Sequence, residues 1–79
     1  GGEQYRLQGV HPLEVLEGTL PFCPLKLEVV LKDTIKELTL NYDTVHFEPD
    51  NDQVHISWRA NHVCLNNAKD VISVSMDFK

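Results

Sequence analysis

The chain has 79 residues, 12 of them acidic and seven basic, and a formal net charge of −5 at pH 7. A chain of this length forms one small domain with a marginal core. Its Lys and Arg residues are scattered among acidic ones, which argues against binding to nucleic acid or to an anionic membrane. The longest apolar run, Val29-Val30-Leu31, is too short to span a bilayer.

The N-terminal third contains one weak strand signal followed by closely spaced prolines. Residues Gln4 to Gly9 alternate weakly and predict a first edge strand. Pro12, Pro21 and Pro24 then exclude a long helix and indicate an extended segment that crosses the domain. We expect its apolar residues to hold it on the core: Leu13, Val15, Leu16 and Leu20.

Two strands joined by a tight reversal follow. Apolar residues alternate with polar ones, as in a strand buried on one face. The predicted inner positions of the first strand are Leu25, Leu27, Val29 and Leu31. Lys32-Asp33 forms the reversal, and a second strand runs from Thr34 to Tyr42 with Leu38, Leu40 and Tyr42 on one face.

The stretch from Asp43 to Arg59 predicts a β-hairpin around the turn-forming Pro-Asp-Asn-Asp. Its inner positions are Val45, Phe47, Val54, Ile56 and Trp58. If Asp50-Asn51 are the two central turn residues, His46 lies directly opposite His55 on the polar face.

The C-terminal part predicts a loop and one more strand. Asn61 to Lys69 is loop-like, with Val63 and Leu65 turned inward. Val71 to Phe78 alternates, and its predicted inner residues are Ile72, Val74, Met76 and Phe78. The chain is therefore predicted to be all-β, as a small antiparallel β-sandwich or partly open barrel of five to six short strands.

Candidate chemistry is sparse. His46 and His55 could share a metal ion, but Glu48 is the only acid beside them, so we predict no metal site and no cofactor. The sequence has no Ser/His/Asp or Cys/His arrangement and no Gly-rich phosphate loop. We therefore predict a protein that is not an enzyme and has no catalytic residues.

Three residue types have alternative structural explanations. Asp43 falls on the apolar face by alternation, and it either caps the turn after Asn41-Tyr42 or pairs with Arg59. Trp58 is either a core anchor or an exposed binding residue. Cys23 and Cys64 are either two buried thiols in a reducing cytosol or one disulfide.

Several short motifs occur in a definite order along the chain. They are Gly9-Val10-His11-Pro12, Leu20-Pro21, Asp43-Thr44-Val45, Glu48-Pro49-Asp50 and Trp58-Arg59-Ala60. In this order and spacing, the chain resembles the C-terminal part of a domain of unknown function found in bacterial type VI secretion accessory proteins. Val10 stands where that family more often has Leu.

The resemblance implies an adaptor or chaperone that helps to load effectors onto the secretion spike in the bacterial cytoplasm. The implied partner is a protein, either an effector or a spike component, and the alternative is a structural β-domain of a baseplate or spike-associated assembly. No catalytic residue comes with the family, and the motif residues Asp43, Thr44, Trp58 and Arg59 are expected to be structural.

Residues 1–79 are predicted to be a single β-rich domain. Gly1-Gly2 stands where an initiator methionine is expected. Members of the family that this chain resembles are several times longer. We therefore expect a fragment of a longer protein, and the sequence sets no oligomeric state.

Overall fold

The structure, a computed structural model, describes the backbone of residues 4–6 and the full residues 15–78. These residues form eight β-strands in two antiparallel sheets. Sheet A contains, in spatial order, β1 (Gln4–Arg6), β8 (Val71–Asp77), β3 (Lys26–Leu31) and β4 (Ile35–Thr39). Sheet B contains, in spatial order, β2 (Gly18–Thr19), β5 (Val45–Asp50), β6 (Gln53–Trp58) and β7 (Asn61–Leu65).

The two sheets do not close into a barrel, so the predicted all-β antiparallel fold is confirmed in its sandwich form. The chain passes from sheet A to sheet B after β4, and it returns through a single 3₁₀ turn, Ala68–Asp70. No helix within the described ranges is long and apolar enough to cross a membrane.

A single apolar core lies between the sheets. Its members come from both sheets and from the segment before β2: Leu16, Leu27, Val29, Leu31, Leu38, Leu40, Val45, Phe47, Val54, Ile56, Trp58, Leu65, Ala68, Val71, Val74 and Met76. Among residues 15–78, no polar or charged residue is buried. The alternation in the sequence therefore identifies most of the inner face, because successive side chains of a strand point to opposite sides.

The strand count was underestimated, because two strands lie where the sequence predicted irregular structure. The first is β2, whose two residues pair with β5 inside the proline-rich segment. The second is β7, which occupies most of the predicted loop Asn61 to Lys69 and pairs along its whole length with β6. Only two residues, Arg59-Ala60, connect β6 to β7, and Arg59 has a positive φ of 50°. No Gly or Pro marks this turn.

The predicted register of the β5–β6 hairpin is wrong by two residues. Phe47 pairs with Ile56 and Asp50 with Gln53, so the central turn residues are Asn51-Asp52. Asn51 has a φ of 56°, a conformation that Asn tolerates better than most residues. A slip of two keeps every side chain on its own face, so alternation cannot reveal it.

Strand β8 departs from the predicted alternation at Ile72. Val30 pairs with Ser73 but Leu31 pairs with Val71, so β8 carries one extra residue at this point. Such a bulge interrupts the regular pleat. Val71 is buried and Ile72 is 61% exposed, which corrects the prediction that Ile72 faces the core.

Tyr42 also lies outside the core, contrary to the prediction. Strand β4 ends at Thr39, and Asn41 and Tyr42 both have positive φ, 53° and 63°. The Asp43 N–H donates to the Leu40 carbonyl across them, as in a type I′ turn. The turn directs Tyr42 outward, where it is 52% exposed.

The N-terminal predictions are met in part. Strand β1 is an edge of sheet A, within the predicted strand Gln4 to Gly9, whose last three residues lie outside the described ranges. Leu16 is buried, Val15 and Leu20 pack against the core, and Leu13 lies outside the described residues.

The bulge predicts a contrast between two apolar residues of β8. Ile72→Ala should change the free energy of unfolding by less than about 0.5 kcal/mol, because the side chain is exposed. Met76→Ala should lower it by about 2–5 kcal/mol, because Met76 is buried. Urea denaturation of both variants measures this difference, and equal losses would contradict the observed register.

Candidate functional site

Asp43 and Arg59 form an ion pair at one end of the hairpin. Asp43 follows the type I′ turn, and Arg59 opens the β6–β7 turn. Arg59 Nη2 donates to Asp43 Oδ1 at 2.9 Å, with the Arg59 side chain 75% and the Asp43 side chain 23% exposed. The contact joins the start of β5 to the end of β6, and it is one of the two arrangements that the sequence allowed for Asp43.

The other two motif residues lie beside this pair. Trp58 pairs with Val45 and is buried in the core at 8% exposure, whereas Thr44 is exposed just before β5. The structure thus brings Asp43, Thr44, Trp58 and Arg59 together at one hairpin end. One ion pair and one buried ring connect strands there, and a structural role for all four remains our prediction.

The predicted facing of His46 and His55 does not occur. Because of the shifted register, His46 pairs with Ser57 and His55 pairs with Glu48. His46 instead lies next to β2, with its Nδ1 2.8 Å from Thr19 Oγ1.

His55 meets a histidine that the sequence analysis missed. Its Nδ1 lies 3.2 Å from His62 Nε2 on β7, and its Nε2 lies 3.4 Å from Asp50 Oδ2. The sequence predicts a loop for the stretch that contains His62. Its alternation of Val63 and Leu65 after a two-residue connection was the signal that could have identified β7.

The cysteines do not form a disulfide. Both are free thiols, and Cys23 is exposed while Cys64 is half-buried. The predicted burial is therefore wrong for Cys23. The proline-rich segment places it at the surface between Phe22 and the buried Pro24.

An apolar band crosses the outer face of sheet A. Val30 pairs with Ile35 on one side and with Ser73 on the other, and the bulge adds Ile72 beside Ser73. Ile35 and Ile72 are 60% and 61% exposed, and Val30 is half-buried between their strands. We call Ile35, Val30 and Ile72 the apolar band, because exposed apolar side chains that lie together often mark binding surfaces.

Two carboxylates lie next to the apolar band. Glu28 and Glu37 are direct partners on β3 and β4, one residue pair along the face from Val30 and Ile35. Ser75 Oγ donates to Glu28 Oε1 at 3.5 Å. Neither glutamate has a salt bridge within the described part of the chain. Facing like charges are unfavourable, so a cation from a partner would relieve them.

Strand β4 is the open edge of sheet A beside this band. No described strand pairs with its outer side, and Leu38 is its one buried residue. The Leu31 N–H donates to Thr34 and the Leu40 N–H to Leu25. Since inward and outward bonding alternate along an antiparallel strand, Ile35, Glu37 and Thr39 direct their N–H and C=O groups to the open side.

The sequence predicts that a partner adds a strand at an exposed sheet edge, either at the strand Gln4 to Gly9 or at the strand Val71 to Phe78, and the structure corrects one of these two candidates. Strand β8 was one candidate, but it lies between β1 and β3 and both its sides are paired. The other candidate, β1, is an edge. Terminal strands often lie at the edge of a sheet. Here the chain returns from sheet B, and β8 lies between β1 and β3.

The fold and these surfaces define a small two-sheet β-sandwich domain with an open strand edge. The chain belongs to the bacterial family described as uncharacterized protein conserved in bacteria (DUF2169), whose profile matches residues 1–59, about three quarters of the chain. The matched part includes the hairpin whose ends carry the sequence motifs. No curated protein and no solved structure matches the chain.

We predict that the Asp43–Arg59 pair is weakly stabilising. A double-mutant cycle of Asp43→Asn and Arg59→Gln should give a coupling of about 0.2–1 kcal/mol, because Arg59 is exposed. It should decrease in 1 M salt, where charges are screened. Urea denaturation at low salt and in 1 M salt measures the coupling energy and its dependence on salt.

The more exposed and longer Asp52–Lys69 pair, at 3.8 Å, is the matched control and should couple less. Equal coupling energies for the two pairs would contradict the prediction that the pair at the hairpin end is the stronger one.

Proposed function

We propose that this chain is a non-enzymatic protein-binding adaptor domain that assists effector loading onto a type VI secretion spike. The observation that carries the proposal is the open β4 edge bordered by the apolar band. An unpaired edge and adjacent apolar side chains are what an extended segment of another protein needs in order to dock.

The binding mode is β-strand addition. A partner strand forms main-chain hydrogen bonds with the outward groups of Ile35, Glu37 and Thr39, which supplies affinity. Its side chains on the outer face contact Ile35 and lie near Glu37, which supplies specificity. The preferred partner segment therefore has an apolar side chain and a Lys or Arg two residues apart, because alternate residues share a face.

The link to secretion comes from the sequence motifs, and family membership supports only the bacterial origin of the protein. The ordered motifs from Gly9 to Ala60 resemble those of type VI secretion accessory proteins, and the family match covers bacterial proteins. On this basis the partner is an effector or a spike component, and loading takes place in the bacterial cytoplasm.

Support for a non-enzymatic role comes from the motif residues. The carboxylate of Asp43 is engaged by Arg59, and Trp58 is packed in the core. Both contacts connect strands. Neither of them places a nucleophilic side chain beside a general base.

The decisive experiment is affinity capture with the protein at its encoded length in its native bacterium. We expect mass spectrometry to identify an effector or a spike component in the captured material. Capture of neither by folded protein would contradict the adaptor function. Regular oligomers of the purified protein alone would instead support the structural β-domain that the sequence offered as an alternative.

A matched pair of variants at one position tests the docking edge. Glu37→Pro should reduce capture by about tenfold, since losing an edge hydrogen bond and adding a ring clash together exceed ~1.4 kcal/mol. Glu37→Gln keeps the N–H and should retain most of the binding. Unchanged capture by a folded proline variant would place docking elsewhere on the domain.

A further inference from the structure

The outer face of sheet B carries a cluster of titratable side chains that the proposed function does not use. Three histidines lie on three neighbouring strands: His46 on β5, His55 on β6 and His62 on β7. The groups facing His55 from β5 are Glu48 and Asp50, and those from β7 are His62 and Cys64. A shallow depression between these strands is lined by His46, Glu48, Pro49, Asp50, His55, Ser57 and His62.

The closest contact in this cluster joins two imidazole nitrogens. His55 Nδ1 and His62 Nε2 are 3.2 Å apart, and the two rings lie 5.2 Å apart, centroid to centroid, at an interplanar angle of 23°. Two metal–imidazole bonds of about 2.1 Å that meet at roughly 100° place their nitrogens about 3.2 Å apart. The two nitrogens form a hydrogen bond between the rings, and their spacing also matches that of two neighbouring ligands of one metal ion.

Asp50 orients His55 for this role. Its Oδ2 lies 3.4 Å from His55 Nε2, on the far side of the ring from His62. A carboxylate that accepts the Nε2–H leaves Nδ1 without a proton, and such carboxylate–histidine contacts commonly support metal ligands. All three residues lie on paired strands or at their ends, so the hairpins hold them in place.

We propose that His55 and His62 bind a divalent transition-metal ion, with Asp50 as the residue that positions His55. Imidazole nitrogen suits Zn²⁺, Ni²⁺ and Cu²⁺. No set of three His, Cys, Asp or Glu residues within the described ranges is placed to hold a metal. Water therefore completes the coordination, and the site is open to solvent.

This pair of histidines differs from the pair considered from the sequence, for which we predicted no metal site. The predicted pair was His46 with His55, which the true register separates. His46 Nδ1 contacts Thr19 Oγ1, and its cross-strand partner is Ser57, so His46 serves as an internal control. The metal and protons compete for the same imidazole nitrogens, so binding must weaken on acidification.

The test is titration of the intact chain with NiCl₂ or ZnCl₂ at pH 7.5, followed by calorimetry and by two-dimensional NMR. We expect one ion per chain, with Ni²⁺ broadening centred on His55 and His62. His55→Gln and His62→Gln should each weaken binding at least tenfold. Asp50→Asn should weaken it by about tenfold, as commonly happens when the hydrogen-bond partner of a metal-binding histidine is changed. Binding by the unmodified protein should weaken when the pH is lowered to 5.5.

His46→Gln is the matched control and should bind like the unmodified protein. Thermal unfolding of each variant checks that it is folded before its affinity is compared. Equal affinities of the folded His55→Gln, His62→Gln and His46→Gln variants would overturn the proposal. Broadening centred on any other part of the chain would overturn it as well.

Discussion

Burial of one apolar face of each sheet against the other is the constraint on which the rest of this structure depends. A domain of this size has a small core, so each buried side chain contributes an appreciable share of its stability. Within the described residues all core members are apolar, and the strands of both sheets contribute to them. A register slip of one residue would move a whole strand's apolar set into water, so alternation is enforced wherever a strand lies over the core.

Because the core is apolar, the polar and reactive side chains of the described residues lie on the outer faces and at the edges of the sheets. The outer face of sheet A carries the apolar band and ends at the open edge of β4. The outer face of sheet B carries the histidines and carboxylates. Because these faces lie on opposite sides of the sandwich, a change on one leaves the other intact. The proposed partner docking and the proposed metal binding therefore use separate surfaces of one small domain.

The family-like residues occupy neither surface. Asp43 and Arg59 close the hairpin end through an exposed ion pair, and Trp58 fills the core beneath it. Exposed ion pairs contribute little free energy, whereas a buried indole removes a large apolar area from water. Trp58 is thus the larger contributor to stability at this end of the hairpin.

By itself, the sequence determined the all-β class, the two hairpins and most of the core, because alternation reports directly on which face of a strand is buried. It also identified the Asp43–Arg59 contact as one of two arrangements. Only the tertiary structure decided the register, the bulge and the position of β7. A two-residue slip leaves the faces unchanged, and a bulge shows only against the partner strand. Strand β7 has only two alternating apolar residues, Val63 and Leu65, which is a weak signal in sequence. These decisions place His62 beside His55, and they place Ile72 next to Ser73, the partner of Val30. Both candidate surfaces therefore follow from strand pairing, which the periodicity of a single strand does not specify.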